Sequence, residues 1–154
     1  MVGKIVIYED YRRDNFLPLS YLRSVFELRV GMLTALERLN FHFPRSKFHL
    51  ITRDYLKPVV SQRYPKYFVN THNVGMKALI VNGRAIITPS LADCIRNMKS
   101  YKYIIINKDK VIAFQLKGDA LFKYLGNAVK DDFNEQKILD QFRRDQDIKM
   151  VQRD

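Results

Sequence analysis

Apolar positions along this chain fall in short runs broken by charged and turn-forming residues, and their spacing switches between the strand and helix periods. Lys4-Ile5-Val6-Ile7-Tyr8 is short and β-branched and precedes the charged run Glu9 to Asp14, which predicts a buried first strand feeding a functional loop. After Leu17-Pro18-Leu19, Met32, Leu36 and Leu39 share one helical face, predicting a helix over Val30 to Asn40 that Pro44 closes off. Phe48 to Ile51 reads as a second strand. Thr52 and Asp54 are candidate N-caps for a helix to about Tyr64, with Pro58 tolerated only in its first turn and Pro65 ending it. Phe68-Val69 is a short strand, and Ala78 to Val81 a stronger one entering the turn Asn82-Gly83. Thr88-Pro89 starts a helix whose Leu91, Cys94, Ile95 and Met98 form a core-facing stripe. Tyr103 to Ile106 and Val111 to Leu116 flank Asn107 to Lys110 as an antiparallel hairpin. From about Asp119 the chain is helical in character, with Phe133, Ile138, Leu139 and Phe142 on its apolar side and a charged end expected to fray.

Strands alternating with helices predict a three-layer α/β domain spanning 1–154, its sheet mostly parallel with the hairpin as an antiparallel addition. Ligands in such sheets bind beyond the carboxyl ends of the strands. That rule points to the loop Glu9 to Ser20 and the turn Asn82 to Arg84.

Composition narrows the class. With 154 residues, 47% hydrophobic and 28% charged, the chain is one globular domain able to bury a core without staples. Cys94 is the single cysteine, which excludes an internal disulfide and suits a reducing compartment; on an apolar stripe it reads as a buried thiol. No apolar run approaches the ~18 residues a membrane span needs, and Met1 to Tyr8 does not read as a signal peptide, so a cytoplasmic location is expected. A net charge of +11 suits a polyanionic partner such as nucleotide, sugar phosphate or nucleic acid, or else a solvated basic surface. The cations are spread along the chain with no arginine-rich tail, which counts against a dedicated nucleic-acid binder.

The segment Tyr8 to Gly31 carries Arg12, Arg13, Arg23 and Arg29 on and beyond the loop after the first strand. The planar guanidinium fork clamps phosphate oxygens two at a time, so such a cluster suits a bound nucleotide. The competing possibility is pairing with Glu9, Asp10, Asp14 and Glu27 at the surface. His42, His49 and His72 lack ligand spacing with one another or with Cys94, which argues against zinc; His49, inside a strand, reads as packed. Tyr64, Tyr67, Tyr101 and Tyr103 lie beside lysines or arginines, a pattern that stacks bases or simply covers strand edges.

Asp10, Arg13, Asn15, Leu17-Pro18-Leu19-Ser20, Arg23 and Glu27-Leu28-Arg29-Val30-Gly31 together resemble the N-terminal signature of a divergent sugar nucleotidyltransferase family. Its members are similar to the N-terminal domain of the bifunctional N-acetylglucosamine-1-phosphate uridylyltransferase/glucosamine-1-phosphate acetyltransferase. Ile51 to Leu56 resembles the family's second-strand exit and Leu79 to Arg84 its strand and turn, with looser similarity in the hairpin and Leu125 to Phe133. The resemblance implies a Rossmann-like nucleotidyltransferase fold, magnesium, and a reaction joining a nucleoside triphosphate (uridine or deoxythymidine) to a sugar 1-phosphate with release of pyrophosphate. It implies phosphate and nucleotide contacts from Asp10, Arg12, Arg13, Asn15, Asn82, Gly83 and Arg84, and catalytic roles for Arg23 and Arg29.

Family members usually continue into hexapeptide repeats that serve assembly, and their transferase domains are larger than this chain. An incomplete fold is therefore expected, either the N-terminal part of a larger protein, with any homo-oligomer forming through that further domain, or a shortened relative. The chain also departs from the ordinary pattern. Glu9 to Asn15 has no glycine, Ser24-Val25 stands where proline-lysine is usual, and Gly83-Arg84 replaces a Gly-Asp whose carboxylate binds magnesium. Either Asp10 or Asp14 then holds the metal, or catalysis has been lost. Three functions follow: a sugar-1-phosphate nucleotidyltransferase, a non-catalytic nucleotide-sugar or phosphate-binding module, and a small basic nucleic-acid-binding protein.

Overall fold

The computed structural model describes residues 3–71, 75, 77–98, 103–108, 110–118, 121, 139–140, 143–144 and 149–152. Strand β1 (Lys4–Tyr8) lies at the middle of the parallel half of the sheet. It pairs in parallel with β4 (Lys47–Ile51) on one side, Ile5 opposite Phe48, and with β6 (Lys77–Asn82) on the other, Ile5 opposite Leu79. β5 (Phe68–Val69) continues the parallel run beyond β4. Beyond β6 come β8 (Lys110–Lys117), antiparallel to it, then β7 (Tyr103–Asn107) and β9 (Lys149–Gln152). Among the described residues the sheet thus has seven strands in the order β5-β4-β1-β6-β8-β7-β9, with β8 the single reversed strand. The expected mostly parallel α/β sheet with a hairpin insertion is what forms.

β1 lacks polar alternation because both its faces are covered. Ile5 and Ile7 join Phe48, Leu50, Leu79 and Val81 under three helices: α1 (Ala35–His42), α2 (Lys57–Arg63) and α3 (Pro89–Arg96). Val6 and Tyr8 point to the opposite face, among Ile51, Ile80, Phe114, Leu121 and Leu139. Successive strand residues alternate faces, so an unbroken apolar run serves two cores.

Three expectations change. The helix over Val30 to Asn40 begins only at Ala35, because Arg29–Val30 (β2) and Leu33–Thr34 (β3) form a small antiparallel hairpin turning through Gly31 at φ +70°. Thr34 and Glu37 then make a reciprocal capping box. The Thr34 N–H holds the Glu37 carboxyl below its usual range. Met32, expected on the buried stripe, sits on the hairpin and is exposed. Second, neither Thr52 nor Asp54 caps α2. Thr52 is turned inward to Glu9, Asp54 accepts a bond from Asn70, and a 3-10 turn over Asp54–Leu56 leads into the helix, with Pro58 in its first turn. Third, the charged C-terminal stretch, expected to fray, contributes β9, whose backbone pairs with β7 from Lys149 to Gln152. The Thr88 cap of α3 forms as expected, and Cys94 on its stripe is half-buried. The similarity noted at Leu125 to Phe133 and most of the predicted C-terminal helix lie outside the described residues. None of the described helices is long and apolar enough to cross a membrane.

His49 is packed, as its place in a strand implies. It is 2% exposed, stacks on Phe68 at 4.9 Å, and its Nδ1 lies 3.3 Å from the Thr71 hydroxyl. Burial, aided by the Lys4 charge, lowers its pKa from 6.5 to about 4. Between those values the unfolded chain takes up a proton that the folded one refuses, so stability falls as pH falls through that window. The loss is on the order of 2–3 kcal/mol at its acid end. Denaturant titrations from pH 7 to 4 should show this slope in the wild type and a shallower one in His49→Gln.

Candidate functional site

The chain leaves β1, runs outward through β4 and β5, and returns to the opposite side of β1 as β6. Ligand crevices of open α/β sheets form at such a reversal, beyond the carboxyl ends of the two strands. Here those ends carry two consecutive buried carboxylates, Glu9 and Asp10, each matched to an arginine two residues past a neighbouring strand.

Glu9 meets Arg53, from the exit of β4. Its carboxylate accepts from Arg53 Nη2 at 3.2 Å, Arg53 Nε at 3.3 Å, the Thr52 hydroxyl at 2.8 Å and the Val25 N–H at 2.7 Å. Arg53 Nη2 also donates to the carbonyls of Ser20 (2.6 Å) and Arg23 (2.9 Å). The segment from Ser20 to Val25 is therefore fastened to the sheet by one ion pair, both members buried. Ser24 and Glu27 close a capping box beside it, and Arg63 of α2 reaches Glu27 at 3.0 Å.

Asp10 is fully buried and meets Arg84, from the exit of β6. Arg84 Nε donates to Oδ1 at 2.7 Å and Nη2 to Oδ2, while Asn82 Nδ2 also donates to Oδ2 at 2.9 Å. Asn82 Oδ1 in turn accepts the Arg84 N–H at 2.9 Å, fixing the turn from which the guanidinium springs. Gly83 sits between them because its N–H donates to the Tyr8 carbonyl at 2.8 Å and a Cβ there would lie 2.8 Å from that same oxygen. Asn82, Gly83 and Arg84, all singled out from sequence, thus act together with Asp10.

Arg84 also borders a groove of about 630 Å³ between the start of α3 and the β7–β8 hairpin. Among the described residues that line it, Thr88 and Ser90 supply hydroxyls, Asn82 and Asn107 amides, and Arg84 and Lys110 the charges, with no carboxylate. Between the Asn82–Arg84 turn and the loop side lies a mostly apolar gap of about 40 Å³, lined by Phe16, Val25 and Leu28 among others.

The arginines of the 8–31 segment are placed differently from one another. Arg13 is half-buried, its Nη1 3.5 Å from the Asp10 carbonyl and its Nε 3.8 Å from Asp14. Arg12 lies over the Tyr11 ring and bonds its hydroxyl at 2.9 Å. Asn15 and Arg23 are exposed. Arg29 bonds the Met32 carbonyl at 2.5 Å and lies 3.7 Å from Glu37, across the small hairpin and the start of α1. None of these five borders the groove. Tyr64 and Tyr67 stack on each other at 5.9 Å and pack on the core; burial, with the nearby Glu27 charge, pushes the Tyr64 hydroxyl up to about 12. Tyr101 and the Tyr103 side chain lie outside the described residues. Sequence reasoning missed Arg53 and Lys110. Arg53 was signalled: Ile51-Thr52-Arg53 and Asn82-Gly83-Arg84 both place an arginine two residues past a parallel strand.

A magnesium ion does not fit this donor set. Hard cations take oxygen ligands, and Asp10 offers both of its oxygens to Arg84 and Asn82. Glu9 is bound to Arg53, and Asp14 is an exposed residue beside Arg13. Among the described residues no three His, Cys, Asp or Glu side chains converge.

Breaking either ion pair from one side strands a buried carboxylate, which costs about 3–5 kcal/mol. Arg53→Met should lower unfolding stability by that amount in denaturant titrations, and Glu9→Gln/Arg53→Met should recover part of it. Gly83→Ala forces a Cβ against backbone that cannot yield and should cost about 1–3 kcal/mol.

The fold has relatives among solved structures. One, from Bacillus anthracis, is assigned as a glucose-1-phosphate thymidylyltransferase and was solved with sucrose; it is 8% identical with a TM-score of 0.63, covering all of this chain and 87% of that one. Another, a 4-diphosphocytidyl-2C-methyl-D-erythritol synthase from Anaerococcus prevotii, is 11% identical with a TM-score of 0.55, covering 99% of this chain and 90% of that one. At such identities they show the fold alone. No curated protein sequence matches the chain significantly. The profile of the sugar nucleotidyl transferase family matches residues 5–153, and with the strand order and the paired site at the end of β1 already in place, the chain belongs to that family.

Proposed function

We propose that this chain forms a nucleotide sugar from a nucleoside triphosphate, uridine or deoxythymidine, and a sugar 1-phosphate. An oxygen of the sugar phosphate attacks the α-phosphorus; the bond from that phosphorus to the bridging oxygen breaks, and pyrophosphate leaves with the electron pair. The observation that supports this assignment is the groove beside Arg84, between the start of α3 and the β7–β8 hairpin, whose described lining has cations and hydroxyls and no carboxylate. Fixed donors aimed at phosphate oxygens stabilise the charge that builds during such a transfer. Arg84 is held rigid by Asp10 for this task, and Arg13 and Arg12 offer contacts from the loop side. Arg29, spent on the hairpin, and the exposed Arg23 are supported less by their positions than their family motif suggests.

One observation favours a second reading: the carboxylate at the end of β1 is committed to an arginine. A non-catalytic module that binds a nucleotide sugar or phosphate would keep the cationic groove and need no metal carboxylate.

Pyrophosphate release, followed by a coupled phosphate assay across a panel of triphosphates and sugar 1-phosphates, separates the two. At least one pair should turn over, and Lys110→Ala, in the groove wall, should lower kcat/KM by roughly 10- to 100-fold. Absence of turnover, with a nucleotide sugar still raising the melting temperature, would leave the binding module standing.

A further inference from the structure

The family to which the chain belongs implies a magnesium ion, and the residues present do not fit one. Where a cation would meet the carboxylate at the end of β1, a guanidinium is already there. Arg84 grips Asp10 through Nε and Nη2, the Asn82 amide shares Oδ2, and the Asn82 carbonyl oxygen pins the Arg84 backbone. Asp10 is wholly buried and the Arg84 side chain is 15% exposed, so this charge is fixed in direction and only slightly hydrated. Arg84 nevertheless forms part of the groove wall, and the other charged residue among the described lining is Lys110, exposed at the start of β8. The described lining residues, with two cationic side chains, two hydroxyls and no carboxylate among them, attract anions and offer a divalent cation only neutral oxygens.

We propose that the groove binds the phosphates of its ligand directly on Arg84 and Lys110, with no bridging divalent cation, Asp10 serving as the buried counter-charge that aims the guanidinium. The ligand is a diphosphate or a nucleoside diphosphate group; its identity as part of a nucleotide sugar rests on the function proposed above, whereas metal-free binding of the phosphates does not. Arg84 delivers a pre-oriented fork, which saves the ordering cost a free arginine incurs on binding. Lys110 adds a point charge from the hairpin side.

Inorganic diphosphate and uridine diphosphate are the probes, titrated calorimetrically into the full chain in EDTA and again in excess magnesium. Binding in EDTA should be at least as tight as in magnesium. Lys110→Glu should weaken it tenfold or more. Lys47→Glu, the same charge change on an exposed residue at the amino end of β4 and outside the groove lining, should change it by less than twofold. Because Lys110 is exposed, its substitution tests the site without unfolding the protein; a circular dichroism melt confirms that the variant is folded. Binding that appears only with magnesium overturns the proposal. So does equal weakening by Lys47→Glu and Lys110→Glu, which reports the general basic charge, and so does the absence of binding to either probe in EDTA. Turnover of a substrate pair together with probe binding only in magnesium would sink metal-free binding and leave the transferase standing. Tight binding in EDTA without turnover by any substrate pair would do the reverse.

Discussion

Two negative charges at the end of the central strand cannot stay buried and unpaired, and the surrounding architecture answers that constraint. Glu9 and Asp10 follow a strand with no solvent-facing side, so their carboxylates emerge inside the protein. Each is neutralised by an arginine from a different neighbour, Arg53 past β4 and Arg84 past β6. The pairs lock the register of three parallel strands at their carboxyl ends, where a ligand crevice would otherwise be an open gap. A hydrophobic replacement of similar volume could stabilise such a place as well. What the ion pairs add is direction: two guanidinium groups and the turns that carry them have one arrangement.

The two pairs have diverged in what they do. Arg53 spends its donors on backbone carbonyls of Ser20 and Arg23 and on the Tyr55 hydroxyl, and so acts as a clasp for the loop. Arg84 grips Asp10 and borders the groove. The same chemical unit thus fastens a loop on one flank of β1 and lines a groove on the other. The difference follows from the sheet's connectivity. The loop after β1 folds over the β4 flank, whereas beyond β6 the chain moves away through α3 and returns in the hairpin, leaving space.

Membership of the sugar nucleotidyl transferase family joins these observations to a class of chemistry, and in this chain the carboxylate at the end of β1 is held by Arg84. Phosphoryl-group chemistry asks mainly for positive charge held in place. A divalent cation supplies it with exchangeable geometry; a guanidinium supported by a buried carboxylate supplies it with fixed geometry. The described lining of the groove holds Arg84 and Lys110 and no acidic side chain.

Local chemistry in the sequence determined much of the scaffold. The β-branched run at Ile5 to Ile7, the Thr88-Pro89 cap and the turn-flanked strands near Asn107 each dictate backbone geometry within a few residues, and the α/β alternation follows from them. The charged run after β1 and the Asn82-Gly83-Arg84 turn were placed at the carboxyl ends of their strands for the same reason. Only the tertiary structure decided how the charges pair. Nothing local says that Thr52 turns inward to Glu9 instead of capping a helix, that Gly31 delays α1 with a hairpin, or that Lys149 to Gln152 reaches β7 as a strand. Nor does an arginine's neighbourhood in sequence tell whether it binds Asp10, lines a groove or braces a turn. Those outcomes depend on which strands become neighbours, and strand order is set by packing across the whole sheet, between residues as far apart as Asp10 and Arg84.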